Sequence, residues 1–152
     1  MSLFSSLSVS ASGMAAQRAR TDVLVENLAN AETTRTPEGG PYRRKDVVFQ
    51  TVEAGSAFAS LLDHEMNPGA RSLNSLQTGV EVSELVRDER EPERRYIPGH
   101  PDADVEGYVS FPHVNPAEEM VDLMSASRGF QANVSAMTAV KDMLNRSIEL
   151  LK

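Results

Sequence analysis

The sequence predicts an α+β protein in which long N- and C-terminal α-helices pack as a coiled-coil-like pair around a small β-rich central domain. Three observations predict it. Residues 120–151 hold apolar side chains at alternating steps of three and four with no proline, the seam of a helix packed lengthwise on another. Residues 4–28 repeat that spacing. Between them lie short runs of apolar and β-branched residues bounded by Gly, Pro, Asn and Asp, which is strand and turn chemistry. The expected segments are an N-terminal assembly helix over 1–32, a β-rich domain with its linker over 33–114, and a C-terminal assembly helix over 115–152.

The C-terminal seam runs Met120, Leu123, Ser127, Phe130, Val134, Met137, Lys141, Leu144, Ile148 and Leu151. Asn115 can cap this helix and Pro116 suits its first position, while Glu118 and Glu119 place negative charge in the positive first turn. A helix from residue 116 to 152 would be about 55 Å long. That is longer than a compact domain of this size. A second stripe of Val121, Met124, Ala132, Ala136, Val140, Met143 and Leu150 widens the apolar arc beyond what a two-stranded coil needs. A helix with so wide an arc is buried among several neighbours, and the rest of the chain is too short of helix to supply them. The seam is therefore expected to face other chains as well.

The N-terminal seam is Phe4, Leu7, Ala11, Met14, Arg18, Thr21, Val25 and Leu28, with small residues Ala15 and Ala19 and then Val23 beside it. Gly13 costs roughly 1 kcal/mol against Ala in a helix interior, and the serines between residues 5 and 12 are weak helix formers. Short isolated helices barely hold in water, so this one is expected to form when a partner arrives. Asn27 and Asn30 lie near its end and read as helix punctuation.

The middle of the chain is turn-rich. Residues 31–40 form a linker of Thr, Pro and Gly with charges interspersed. Strands are expected over 41–52, 79–86, 94–97 and 107–114, with 87–95 as an exposed hairpin connection. Arg43, Arg44 and Lys45 read as a solvated strand end; contact with an acidic neighbour in an assembly is the sharper alternative. Residues 54–78 are weakly patterned and are expected to be a mobile surface excursion, with one helical turn around Ala57, Phe58, Leu61 and Leu62.

Composition narrows the function classes. Cys is absent, which excludes a disulfide framework, a thiolate metal site and a Cys nucleophile. Of the net charge of −7, five units fall on residues 33–115, leaving both ends near neutral. An acidic centre without a basic stripe is a poor match for nucleic acid, and near-neutral ends let copies pack side by side. No basic n-region with a continuous apolar stretch marks a secretion signal, and no run approaches a membrane span.

The segment His100, Pro101, Asp102, Ala103, Asp104 is the one constellation that could ligate a divalent cation. Its prolines and turn-forming aspartates favour a plain turn. His64 with Glu65 lacks a third ligand at helical spacing. No phosphate loop, nucleophile elbow or zinc-helix motif is present in the sequence, so no catalytic residue, no cofactor and no enzyme is expected.

The two ends together are more specific than either pattern. SASGMAAQ over 10–17 and DVLVENLANA over 22–31 resemble the N-terminal signature of the bacterial flagellar axial proteins, the rod, hook and hook-junction family. GPYRRK over 40–45, GHPDAD over 99–104, GYV over 107–109 and NPAEEMVDLMSASR over 115–128 are similar to its proximal-rod members. The family's aromatic–Glu pair is here Phe130-Gln131, which keeps the ring and loses a charge. The resemblance runs from about residue 3 to the C-terminus and is weakest over 54–78.

The resemblance implies a non-enzymatic subunit of the basal-body rod, polymerising through its terminal helices into a tubular drive shaft. The partners it implies are copies of the chain, other rod subunits and the flagellar type III export apparatus, with the membrane-ring complex as a candidate neighbour. It implies neither nucleic acid nor a small-molecule substrate. The location it implies is the periplasmic rod of the basal body, reached without a cleaved signal. The assembly interface would then be Leu7, Met14, Val25 and Leu28 at one end. At the other it would be Met120, Leu123, Phe130, Val134, Met137, Leu144, Ile148 and Leu151. The alternative is a small binding or metal-dependent module on the central strands, its helices forming only an intrachain hairpin.

Overall fold

A computed structural model describes residues 3–53 and 78–150. It contains α1 (Leu3–Ala29), β1 (Lys45–Glu53), β2 (Thr78–Arg87), β3 (Glu93–Tyr96), β4 (Tyr108–Phe111) and α2 (Pro116–Glu149). All six expected elements are present, which makes the fold α+β. The helical turn expected near residue 58 and the His64–Glu65 pair lie outside the described residues.

The strands form two two-stranded sheets, β1 with β2 and β3 with β4. This corrects the expectation for 87–95: β2 and β3 share no ladder, so the segment links two sheets and is not a hairpin turn. Its fold is local. Asp88 accepts from the Arg90 backbone N–H at 3.0 Å, and its own N–H donates to the Arg44 carbonyl at 2.8 Å. The Arg90 guanidinium beside it holds the Asp88 carboxyl down to about 2.

β3 and β4 are antiparallel, with Tyr96 opposite Tyr108 and Arg95 opposite Val109. The two tyrosine rings meet edge-on at 5.3 Å. Their turn closes on Gly107, whose φ of 85° suits glycine; a Cβ there would also lie 2.9 Å from the Tyr96 ring. Val109 is fully buried, worth about 1.5–3 kcal/mol.

The chain divides into two compact units, and both helices contribute to each. One unit comprises residues 18–48 and 84–127, and its buried apolar side chains are Leu24, Tyr42, Val109 and Ala126. The other comprises residues 1–17, 49–83 and 128–152, with Ala16 and Val140 buried among its described residues.

In each unit α1 and α2 run antiparallel. In the first, Arg20 meets Asp122 at 3.3 Å and Asn27 meets Glu119 at 3.2 Å. In the second, a Cβ on Gly13 would lie 3.0 Å from Asn133, and one on Gly129 would lie 3.2 Å from Gln17. The penalty expected for Gly13 thus has a use: its bare backbone admits an amide side chain from α2. The partner that α1 needs is α2 of the same chain. Asn115 caps α2 as expected, its side chain accepting from the Ala117 N–H at 3.1 Å.

Candidate functional site

Ala16 apart, the contact positions of both helices lie one residue before the apolar seams read from the sequence. On α1 the inward positions are Ser10, Gly13, Ala16, Arg20, Leu24 and Asn27; on α2 they are Glu119, Asp122, Ala126, Gly129, Asn133 and Val140. Apart from Leu24 and Val140 these are small or polar side chains, at steps of three and four or a whole heptad. One residue is about 100° around a helix, so the apolar seams are turned partly or wholly away from the intrachain partner.

The expected interface residues divide accordingly. Leu7, Met14, Leu28, Leu123, Met137 and Leu144 are half-buried. Val25, Met120, Phe130, Val134 and Ile148 are exposed, Val134 to 41% and Phe130 to 38%. Leu151 lies outside the described residues. In the first unit Val121 and Met124 extend the exposed apolar surface of α2; in the second Met143 does so, with Leu150 just past the helix end, and Phe4 does so on α1. Among the described residues, exposed large hydrophobics far outnumber the buried ones. Exposed apolar surface of this extent is the mark of an interaction surface.

Beneath this surface in the first unit lies a polar cluster that the sequence reading missed. Asn27, read as punctuation, is 0% exposed and saturates its amide. Its Oδ1 accepts from the Tyr42 hydroxyl and the Lys45 backbone N–H, both at 2.9 Å. Its Nδ2 donates to the Lys45 carbonyl at 2.8 Å and to Glu119. The amide therefore pairs with the first residue of β1 as a neighbouring strand would. Glu119, 2% exposed, also accepts from Arg44 Nε at 2.6 Å.

The basic run is accordingly only in part a solvated strand end: Arg43 is exposed, but Arg44 and Lys45 are not. Arg44 pairs with Glu119 and Asp46, and Lys45 pairs with Glu26. Burial works against the Arg44 charge, but its hydrogen bonds to Glu119 and Asp46 outweigh that and raise its pKa. The one available signal was position: Arg20, Leu24 and Asn27 already step by four and three on a single face.

Burial, with Glu26 and Glu119 nearby, pushes the Tyr42 phenol from 10.0 up to about 12. Above pH 10 the unfolded chain has released this proton while the folded one keeps it, so stability falls as pH rises towards about 12. Below pH 10 the group contributes no pH dependence. Denaturant midpoints between pH 9 and 12 are expected to lose part of this alkaline slope in Tyr42→Phe. An unchanged slope would place the titration elsewhere.

Three clefts of about 310–470 Å³ are shallow and line no catalytic constellation. Among the described residues no group of three His, Asp or Glu could hold a metal. His100, Asp102 and Asp104 build the turn instead. Asp102 donates its N–H to His100 Nδ1 at 3.1 Å and accepts from Thr34 Oγ1 at 2.8 Å. Asp104 accepts the N–H groups of Glu106 and Tyr108, which hold its carboxyl below the usual range.

Comparison with known proteins places these two helices in a family. Residues 7–35 match the model described as flagella basal body rod protein, and residues 105–150 match the flagellar basal body rod FlgEFG protein C-terminal model. The flagellar basal-body rod protein FlgC of Bacillus subtilis is 45% identical, with both chains covered in full. The chain belongs to the FlgC family of flagellar basal-body rod proteins. FlgC of Borreliella burgdorferi is 38% identical over all of this chain and 99% of its own. FlgC of Escherichia coli O157:H7 is 37% identical over 99% of this chain and 98% of its own. As a FlgC-family member the chain is a structural subunit of the basal-body rod of the bacterial flagellum, and so a component of the motility apparatus that assembles with other flagellar components. The two family matches include all but the first residues of α1 and the whole of α2.

Proposed function

We propose that this subunit polymerises through the outward seams of α1 and α2, with copies of itself and other rod proteins, into the proximal part of a tubular drive shaft. The interface residues are Leu7, Met14, Val25, Leu28, Met120, Leu123, Phe130, Val134, Met137, Leu144, Ile148 and Leu151. The observation that carries this reading is the exposure of Met120, Phe130, Val134 and Ile148 while the inward positions of α2, Val140 apart, are small or polar. Polymerisation would remove that apolar surface from water, and head-to-tail contacts that do not close generate a helical tube.

Residues 33–114 serve as an outer domain carried by the assembly helices over 1–32 and 115–152. The chain does no catalysis and binds neither nucleic acid nor a small-molecule substrate. It reaches the periplasmic rod through the flagellar type III export apparatus, and the membrane-ring complex is a candidate neighbour. The test is whether chains charged on the outward seam still enter basal bodies isolated from cells lacking the native subunit. Normal incorporation of such a chain would overturn the proposal.

A further inference from the structure

The apolar seam of α2 repeats Leu123, Phe130, Met137 and Leu144 every seven residues. By itself it would accept α1 in its present register or slid by one heptad, because each slide presents an equivalent set of side chains. The inward face is not periodic in this way. Asn27 meets Glu119, Gln17 meets Gly129, and Gly13 meets Asn133. In all three pairs the residue numbers have the same sum, so one antiparallel register satisfies them together.

We infer that these three pairs are a register key: Asn27–Glu119 as a buried polar latch, Gly13 and Gly129 as sockets for Asn133 and Gln17. A slide by seven in one direction puts Ala126 opposite Asn27. In the other direction Asn27 passes the first residue of α2, Pro116. Either way the buried Asn27 amide loses Glu119, and Glu119 loses Asn27, which a low-dielectric interior penalises strongly. Gly13 and Gly129 likewise separate from the amide side chains that their bare backbones admit. A single buried polar residue that fixes the register of paired helices is the best-attested role for such groups. The key thereby decides which side chains of the pair stay outward. It concerns pairing within one chain, so its failure would leave the proposed polymerisation untouched.

The chain has no cysteine of its own, so introduced thiols report register directly. Gln17→Cys with Gly129→Cys reads the observed register; Gln17→Cys with Ala136→Cys reads a slide of one heptad. Both pairs are oxidised in the full chain, with Glu119 intact or replaced by leucine, and helix content is followed by circular dichroism. With Glu119 present, the first pair is expected to form its disulfide at least tenfold faster than the second. Glu119→Leu is expected to reduce that ratio to about threefold or less with helix content retained, whereas Glu119→Gln, which can still hydrogen-bond Asn27, restores it. A ratio unchanged by Glu119→Leu would overturn the key. Equal rates for the two pairs in the chain with Glu119 intact would overturn it as well.

Discussion

Val134→Asp is expected to abolish motility while leaving the subunit folded. Val134 is 41% exposed on α2, so an aspartate there is solvated in the free chain and costs the monomer little. In a packed rod the same carboxylate would be taken out of water without a partner, at an effective cost of several kcal/mol. The cost recurs in every copy. Phe130→Ala, at a neighbouring exposed position, acts by deletion; if the ring is buried on assembly, about 3–5 kcal/mol is lost per subunit. The measurements are swimming in soft agar, recovery of basal bodies, and a denaturation curve of the purified variant. A motile Val134→Asp strain would remove the outward seam from consideration as the polymer contact.

Glu119→Ala should have the opposite profile, a large loss of stability in the isolated chain. Glu119 is nearly inaccessible and accepts from both Arg44 and Asn27. Removing one partner of a buried pair costs about 3–5 kcal/mol, because the remaining charge stays desolvated. The lower end applies here, since the Arg44 side chain keeps 21% of its surface in water and retains Asp46. Glu119→Gln leaves an acceptor in place and should cost less than half as much. Urea midpoints with a shared slope would measure both. A Glu119→Ala midpoint within about 0.5 kcal/mol of the parent, the range of ordinary surface changes, would mean that the cluster does not hold the unit together.

The helices and the four strands were legible because each rests on local chemistry: heptad spacing, a capping Asn before Pro116, and alternation bounded by Gly and Pro. The phase of the helices was not. Apolar periodicity identifies the greasiest face and assigns it to the nearest partner, whereas here Gly13, Ala16, Arg20 and Asn27 make the intrachain contact and the greasier face is left outward. The same blindness hid the polar cluster. Asn27 beside a helix end looks like a cap, Glu119 in a first turn looks like a response to the helix dipole, and Arg44 in a basic triplet looks solvated. Only the fold brings residues 27, 44 and 119 together, and no local pattern encodes separations of that length. The 87–95 segment fails for a related reason, since neighbouring strands in sequence need not share a sheet.

Asn27 grips Lys45 by its main-chain N–H and carbonyl, not by its ammonium group. Two touching positions should therefore tolerate change very differently. Almost any side chain at 45 keeps the grip, proline excepted because it has no N–H, while no other residue at 27 reproduces the amide's reach and paired donor and acceptor. A saturation library scored for folded protein should thus find permissiveness at 45 directly beside intolerance at 27.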